Sequence, residues 1–147
     1  MRVAVGCDHL GFQMKDQVIE YINSLGFEAV DLGTNSAESC DYPIYGEKVG
    51  RAVVSGDCEL GVAICGTGAG ISLAANRVPG VRAVCCSDEY TAEFTRRHNN
   101  ANVLAFGVRV VTFETAKRLL KLFLTTEFEG GRHQRRVDLI MALESEQ

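Results

Sequence analysis

The stretch of this sequence best suited to chemistry is Cys65, which ends a short apolar run at residues 60–64, together with the glycine-rich turn after it. This turn, the glycine loop, consists of Gly66, Thr67, Gly68, Ala69 and Gly70. Glycines permit positive φ angles and a close approach to a ligand, so the loop N–H groups can bind a phosphate or a developing oxyanion. These N–H groups and the positive end of a following helix would lower the pKa of Cys65. The loop therefore predicts an anion site beside a usable thiolate, while an ordinary buried thiol next to a tight turn is the alternative.

Three familiar phosphate-binding motifs do not match the glycine loop. A Walker loop ends in Gly-Lys-Ser or Gly-Lys-Thr, and that tripeptide is absent. A dinucleotide fingerprint needs a third glycine at position 71, and a cysteine phosphatase needs an arginine there, but the residue is Ile71. The loop therefore has to be interpreted on its own chemistry.

A second group of candidate residues is basic and opens the last predicted helix, directly after two glycines. Its members are Arg132, His133, Arg135 and Arg136. The helix macrodipole disfavours cations at this end by about 0.3–1 kcal/mol each, so the placement needs a reason. Arg132 and Arg136 are four residues apart and project from one face, as a pair that could grip a phosphate dianion. A solvated basic face is the alternative.

The hydrophobic pattern predicts an alternation of strands and helices. Predicted strands cover residues 2–6, 27–32, 60–64, 81–86 and 103–106. Predicted helices cover residues 12–25, 42–55 and 71–76, a segment capped by Ser87 that runs to about Arg97, a segment that starts at Thr112, and a last segment from about 132. Strands separated by helices favour an α/β fold, here a single-domain Rossmann-like αβα sandwich with a five-stranded parallel sheet spanning residues 1–147.

Ligand sites in such folds lie at the carboxyl ends of the strands. Asp8 and His9 follow the first predicted strand, Cys65 ends the third, and Arg109 lies a few residues beyond the fifth. We therefore expect these four residues to meet at one edge of the sheet.

Composition limits the possible partners and cofactors. The formal net charge is −4, which argues against a nucleic-acid or anionic-membrane partner. No apolar run is as long as a membrane span and no signal peptide is evident, so we expect a cytoplasmic protein. The six cysteines form no Cys-x-x-Cys pair, and a metal pair of Cys7 and His9 lacks further ligands. We predict no metal site and no disulfide framework.

With these residues assembled, the sequence resembles the ribose-5-phosphate isomerase B family, which also includes allose-6-phosphate isomerases and galactose-6-phosphate isomerase subunits. The resemblance covers nearly the whole chain and rests on seven blocks in order. The blocks are Gly-Cys-Asp-His at 6–9, Asp-Tyr-Pro at 41–43, Ile-Cys-Gly-Thr-Gly-Ala-Gly-Ile at 64–71, Ala-Ala-Asn at 74–76, Arg-His-Asn at 97–99, Asn-Val-Leu-Ala-Phe-Gly at 102–107 and Glu-Gly-Gly-Arg-His-Gln at 129–134.

The resemblance implies an aldose–ketose isomerase that interconverts ribose 5-phosphate and ribulose 5-phosphate in the pentose phosphate pathway, without metal or organic cofactor. In the family the cysteine matching Cys65 removes the C2 proton to give a cis-enediolate, and the histidine matching His98 opens the sugar ring. One branch uses a glutamate at the position of Ile71 as the base, so this chain is expected to be of the cysteine-dependent kind.

The resemblance also assigns the remaining site residues. Those expected to handle the sugar are Asp8, Tyr42, Thr67 and Asn99. Those expected to hold the phosphate are His9, Arg109, Arg132 and Arg136. Asp8 and Thr67 are further assigned to the catalytic set, with Thr67 helping to move a proton between O1 and O2.

Family members are dimers or pairs of dimers with active sites at the interface, so the resemblance implies a homodimer or dimer of dimers with shared sites. On this basis Cys65 and the last helix come from one subunit, and His98, Asn99 and Arg109 from the other. Two alternatives remain: an isomerase of a six-carbon sugar phosphate, and a non-catalytic sugar-phosphate binding module. Without the resemblance, His98 would be interpreted as a helix-end residue that satisfies carbonyl groups.

Overall fold

The computed structural model describes residues 1–146 and has five strands, six α-helices and a final 3₁₀ turn. The strands are β1 Arg2–Cys7, β2 Glu28–Asp31, β3 Leu60–Cys65, β4 Ala83–Cys85 and β5 Val103–Gly107. The helices are α1 Phe12–Ser24, α2 Tyr42–Val54, α3 Ala69–Ala75, α4 Glu89–Arg97, α5 Phe113–Thr125 and α6 Arg132–Ala142, and the 3₁₀ turn is Leu143–Glu146. None of the helices within this range is long and apolar enough to cross a bilayer.

All five strands are parallel and lie in the order β2-β1-β3-β5-β4, so the predicted α/β fold with a five-stranded parallel sheet is confirmed. The central strand β3 is buried along its whole length, as its apolar run predicts. Its end is aligned with its neighbours, because Ile64 is in register with Cys7 of β1 and Cys65 with Gly107 of β5. The residues that follow these strand ends therefore share one edge of the sheet, which we call the carboxyl edge.

The two faces of the sheet carry side chains of different size. On one face large residues such as Ile64 and Phe106 pack against α1 and α5. On the other face small residues let α2 and α3 approach closely, and a Cβ atom at Gly61 would lie 2.5 Å from Val49 of α2. The close approach therefore requires glycine at position 61, and it brings the start of α2 beside the glycine loop.

The predicted boundaries that are wrong include those of α3, β4 and α4. Helix α3 begins at Ala69, two residues earlier than predicted. Strand β4 is shorter than the predicted 81–86, because the Val81 N–H closes a turn onto the Val78 carbonyl instead of joining the ladder. The cap of α4 is Asp88 rather than Ser87, since the Asp88 carboxylate accepts the Thr91 N–H at 2.8 Å.

Candidate active site

The glycine loop is folded around the sulfur of Cys65. The side chain is 5% exposed, and its Sγ accepts the N–H of Gly68 at 3.1 Å. Gly68 has φ +85 and caps α3, so a side chain at this position would be strained and would collide with the backbone of Phe106. The Thr67 hydroxyl accepts the Ala69 N–H at 3.2 Å, which leaves the hydroxyl proton available. An N–H group directed at a sulfur stabilises negative charge there, as a proton-abstracting thiolate requires.

Two further predicted residues lie beside this loop in the same chain. The Arg109 N–H donates to the Gly66 carbonyl at 3.0 Å, in the turn that follows β5. The Tyr42 ring covers the loop from the start of α2, because a Cβ atom at Gly70 would lie 2.6 Å from its ring carbons. The structure thus brings Arg109 and Tyr42 to the carboxyl edge with Cys65.

Asp8 and His9 occupy the same edge, directly after β1. The buried Asp8 carboxylate accepts the N–H groups of Leu10 at 3.0 Å and Gly11 at 2.9 Å, both through Oδ1, so that Oδ2 is left for a substrate hydroxyl. The Cys40 N–H donates to His9 Nδ1 at 3.2 Å. A neutral His9 must then carry its proton on Nε2, which makes Nε2 a donor suited to a phosphate oxygen.

His98 lies at the opposite edge of the sheet. Helix α4 runs antiparallel to the strands, and His98 is the residue at its carboxyl end. Four residues later the Asn102 N–H donates to the Arg82 carbonyl, just ahead of β5 and β4, so this segment lies at the amino ends of the strands. A strand of five residues spans about 17 Å. His98 therefore cannot reach a sugar held at the Cys65 of its own chain.

At this amino edge, His98 belongs to a cluster of side chains. Its ring stacks on His133 with centroids 4.0 Å apart and an interplanar angle of 9°, and it meets the Phe94 ring in a T-shaped arrangement with centroids 5.0 Å apart. Glu129 Oε1 lies 3.7 Å from His98 Nε2 and 3.6 Å from His133 Nε2, and Glu129 Oε2 lies 3.4 Å from Arg97. One carboxylate oxygen thus faces both imidazoles.

His133 is the buried member of this stack. It is 6% exposed, and its Nε2 has no hydrogen-bond partner within residues 1–146. Burial lowers the pKa of His133, and the neighbouring charges of His98 and Arg132 lower it further against an opposing effect of Glu129. The lowered pKa favours the neutral form of the His133 ring at pH 7.

The atoms of His98, Glu129 and His133 lie within 4.8 Å of one another, as the ligands of a metal ion would. Because the two rings are parallel, their Nε2 lone pairs run side by side and do not converge on one point. The arrangement suits a carboxylate facing two imidazoles better than a coordinated ion. Glu129 was missed in the sequence as a site residue, and His133 was named only as a member of the basic group that opens the last helix. The spacing of four residues between them was a local signal.

The predicted division of residues between two subunits is wrong in two places. Helix α6 starts beside His98, since His133 stacks on it and the Glu129 N–H donates to the Arg97 carbonyl at 3.0 Å. Arg132 and Arg136, both exposed on α6, therefore belong with His98 and Asn99. Arg109 belongs with Cys65, because the turn after β5 lies at the carboxyl edge. The physical reason is that α5 returns the chain to the amino edge before α6 begins.

Comparison with known proteins gives the family. A family model described as Ribose/Galactose Isomerase matches residues 3–140. The chain is 49% identical over 143 residues to "Ribose-5-phosphate isomerase B" of Escherichia coli (strain K12), with 97% of this chain and 96% of the relative covered. It is 43% identical over 141 residues to "Putative sugar phosphate isomerase YwlF" of Bacillus subtilis (strain 168), with 95% of each covered.

Solved structures agree. Ribose-5-Phosphate Isomerase B of Clostridium thermocellum superposes with a TM-score of 0.97 at 46% identity over 99% of each chain. Ribose-5-phosphate Isomerase B of Mycoplasma genitalium, with ribulose-5-phosphate bound, superposes with a TM-score of 0.94 at 40% identity over 99% of this chain and 97% of that one. This chain therefore belongs to the Ribose/Galactose Isomerase family, and the resemblance to ribose-5-phosphate isomerase B is confirmed.

Proposed function

We propose that this protein is a ribose-5-phosphate isomerase that interconverts ribose 5-phosphate and ribulose 5-phosphate, as a cytoplasmic enzyme of the pentose phosphate pathway. The observation that carries the proposal is Cys65, held by the Gly68 N–H at the carboxyl edge of a fold that matches such isomerases over its whole length. Asp8, His9, Tyr42 and Arg109 surround the same edge, which gives the site groups for both the sugar and the phosphate.

In this proposal the Cys65 thiolate takes the C2 proton and an enediolate forms, after which a proton is returned to C1. A positioned base contributes about 10²–10⁴-fold to such a step. N–H donors of the glycine loop stabilise the developing oxyanion, each worth about 2.7–4 kcal/mol where such a donor is deleted in other enzymes. The Thr67 hydroxyl, whose oxygen is already bonded to Ala69, carries a proton between O1 and O2.

Ring opening is assigned to the His98 of a second subunit, because His98 and Cys65 of one chain lie at opposite edges of the sheet. Glu129 Oε1 faces His98 Nε2 at 3.7 Å and the His133 ring stacks on the His98 ring, so both neighbours hold the imidazole in place. Asn99 follows His98 and contacts the sugar. Glu129 and His133 are positioning residues in this scheme, since both act through His98.

The same arrangement makes the active site a shared one in a homodimer or a dimer of dimers. His9 and Arg109 of one subunit and Arg132 and Arg136 of the other would enclose the phosphate. A partner subunit closing over the carboxyl edge would also exclude water from the enediolate.

A six-carbon sugar phosphate is the second candidate substrate, since the matching family model covers both ribose and galactose isomerases. Incubation in heavy water tests both candidates. Ribose 5-phosphate is expected to gain deuterium at carbon, whereas a protein that only binds the sugar would leave it unlabelled. Faster labelling of allose 6-phosphate or galactose 6-phosphate than of ribose 5-phosphate would favour the second candidate.

A further inference from the structure

A cavity lies at the amino edge of the sheet, away from the glycine loop. Its volume is about 560 Å³, within the range of about 300–1,000 Å³ that is usual for small-molecule sites. Its lining includes Met1, Glu59, Leu60, Asn102 and Glu127, all near the starts of strands or the end of α5. The proposed catalytic scheme gives this cavity no role.

Two arginines, Arg82 and Arg96, line this cavity, and both form hydrogen bonds with Asn100. Arg82 Nε donates to the Asn100 carbonyl at 2.9 Å, and Arg96 Nη1 donates to Asn100 Oδ1 at 3.1 Å. Asn100 has φ +47, a left-handed conformation that asparagine tolerates better than most residues. The chain between α4 and β5 is thus shaped so that one asparagine orients two guanidinium groups.

Neither guanidinium group forms an ion pair within residues 1–146. Arg82 also contacts the Gly80 carbonyl and Met141 Sδ, and Arg96 also contacts the carbonyl groups of Thr126 and Ala101. In contrast, four other arginines pair with carboxylates, namely Arg2, Arg51, Arg97 and Arg118. The Arg82 and Arg96 side chains are held in place without being neutralised.

The electrostatic environment favours an anion. Burial lowers the pKa of both Arg82 and Arg96, and the charge of Arg82 lowers that of Arg96 further. Glu144 raises the pKa of Arg82 against this effect, but its carboxylate already accepts a hydrogen bond from the Gly80 N–H at 3.1 Å. An anion bound between two partly desolvated cations relieves their repulsion and forms strong charge-assisted hydrogen bonds.

We propose that Arg82 and Arg96 form a second oxyanion site, which binds a small molecule carrying a phosphate or carboxylate group. Within the described residues, no hydrogen bond uses the Nη2 group of either arginine, so both can donate to the ligand. Glu59 and Glu127, exposed carboxylates of the same cavity, suit hydroxyl or amino groups elsewhere on that molecule. The site lies a strand length from Cys65 of the same chain, and its lining shares no residue with the proposed catalytic and substrate-binding set.

Binding of inorganic phosphate tests the proposal. Titration calorimetry is performed on Arg132→Ala/Arg136→Ala protein, which lacks two of the proposed phosphate ligands of the active site. We expect saturable binding, weakened about tenfold or more by Arg82→Gln or Arg96→Gln, since each removes a charged donor. Arg51→Gln, which makes the same charge change at an exposed ion pair, is the matched control and should leave binding unchanged.

Citrate in place of phosphate distinguishes the two ligand classes: tighter binding of citrate identifies a carboxylate site, and tighter binding of phosphate a phosphate site. Arg96→Lys serves as a second variant, because it keeps the charge but loses the planar fork and should also weaken binding if Arg96→Gln does not fold. The proposal is overturned if neither anion binds saturably, or if the folded Arg82 and Arg96 variants bind as tightly as the Arg51→Gln protein.

Discussion

At the carboxyl edge of the sheet the chemical groups are held by backbone, whereas at the amino edge they are held by side chains. Cys65 is fixed by the Gly68 N–H, and the loop around it is enforced by positive φ and close backbone approach. His98 is positioned by a stacked ring and a carboxylate on later segments of the chain. The first edge is set by local sequence and the second by tertiary packing, and neither edge alone holds both proposed catalytic groups.

The largest expected effect is at the carboxyl edge. Cys65→Ala is expected to lower kcat by at least about 10²-fold while sugar-phosphate binding persists, because it removes the proposed base and little of the binding surface. Steady-state kinetics and direct binding measurements check this. Cys58→Ala, which removes another buried thiol at the other end of β3, should keep its activity. If Cys65→Ala retained more than about a tenth of the wild-type kcat, Cys65 would not be the base.

Mixing two inactive variants tests whether the two edges meet across subunits. When Cys65→Ala and His98→Ala chains are refolded together, half of the random dimers are mixed and each has one intact site, which gives about a quarter of wild-type activity. Activity is measured against each variant refolded alone. If both residues served one subunit's own site, every site would carry a lesion and no activity would return.

A smaller effect is expected for the phosphate grip at the amino edge. Arg132→Ala and Arg136→Ala are each expected to raise KM about tenfold or more with little change in kcat, because a non-reacting phosphate supplies binding that is uniform along the reaction. Arg135→Ala is the matched control, since Arg135 lies on another face of α6. An unchanged KM in both variants would indicate that Arg132 and Arg136 only form a solvated basic face.

The smallest effect concerns stability and pH. The pKa of His133 is lowered in the folded chain, so above about pH 6.5 folded and unfolded forms are both neutral and His133 contributes no pH dependence. Below that pH the unfolded chain takes up a proton that the folded chain does not, and stability falls. His133→Phe keeps a flat ring and should therefore show a shallower loss of Tm between about pH 6.5 and 5.5. Equal slopes would contradict the buried, neutral His133.

The sequence predicted the residues of the carboxyl edge better than those of the amino edge. The positions of Cys65, Asp8 and Arg109 at or after the ends of apolar runs predict one shared edge, because parallel strands end together, and the structure has them there. The division between subunits, taken from the resemblance, had separated Arg109 from Cys65. The partners of His98 were not found, because the stacking of His133 depends on where α5 returns the chain. The antiparallel course of α4 was available as a signal that His98 and Arg109 lie at opposite edges, and using it would have placed Arg109 with Cys65.

The hydrogen bond from the Cys40 N–H to His9 Nδ1 has a consequence for how the protein can be observed. If His9 takes a second proton, Nδ1 can no longer accept, and the Cys40 amide loses its partner. The exchange of this one amide hydrogen with solvent therefore reports the protonation state of His9. Exchange at Cys40 thus gives a readout of the His9 side chain without any measurement of turnover.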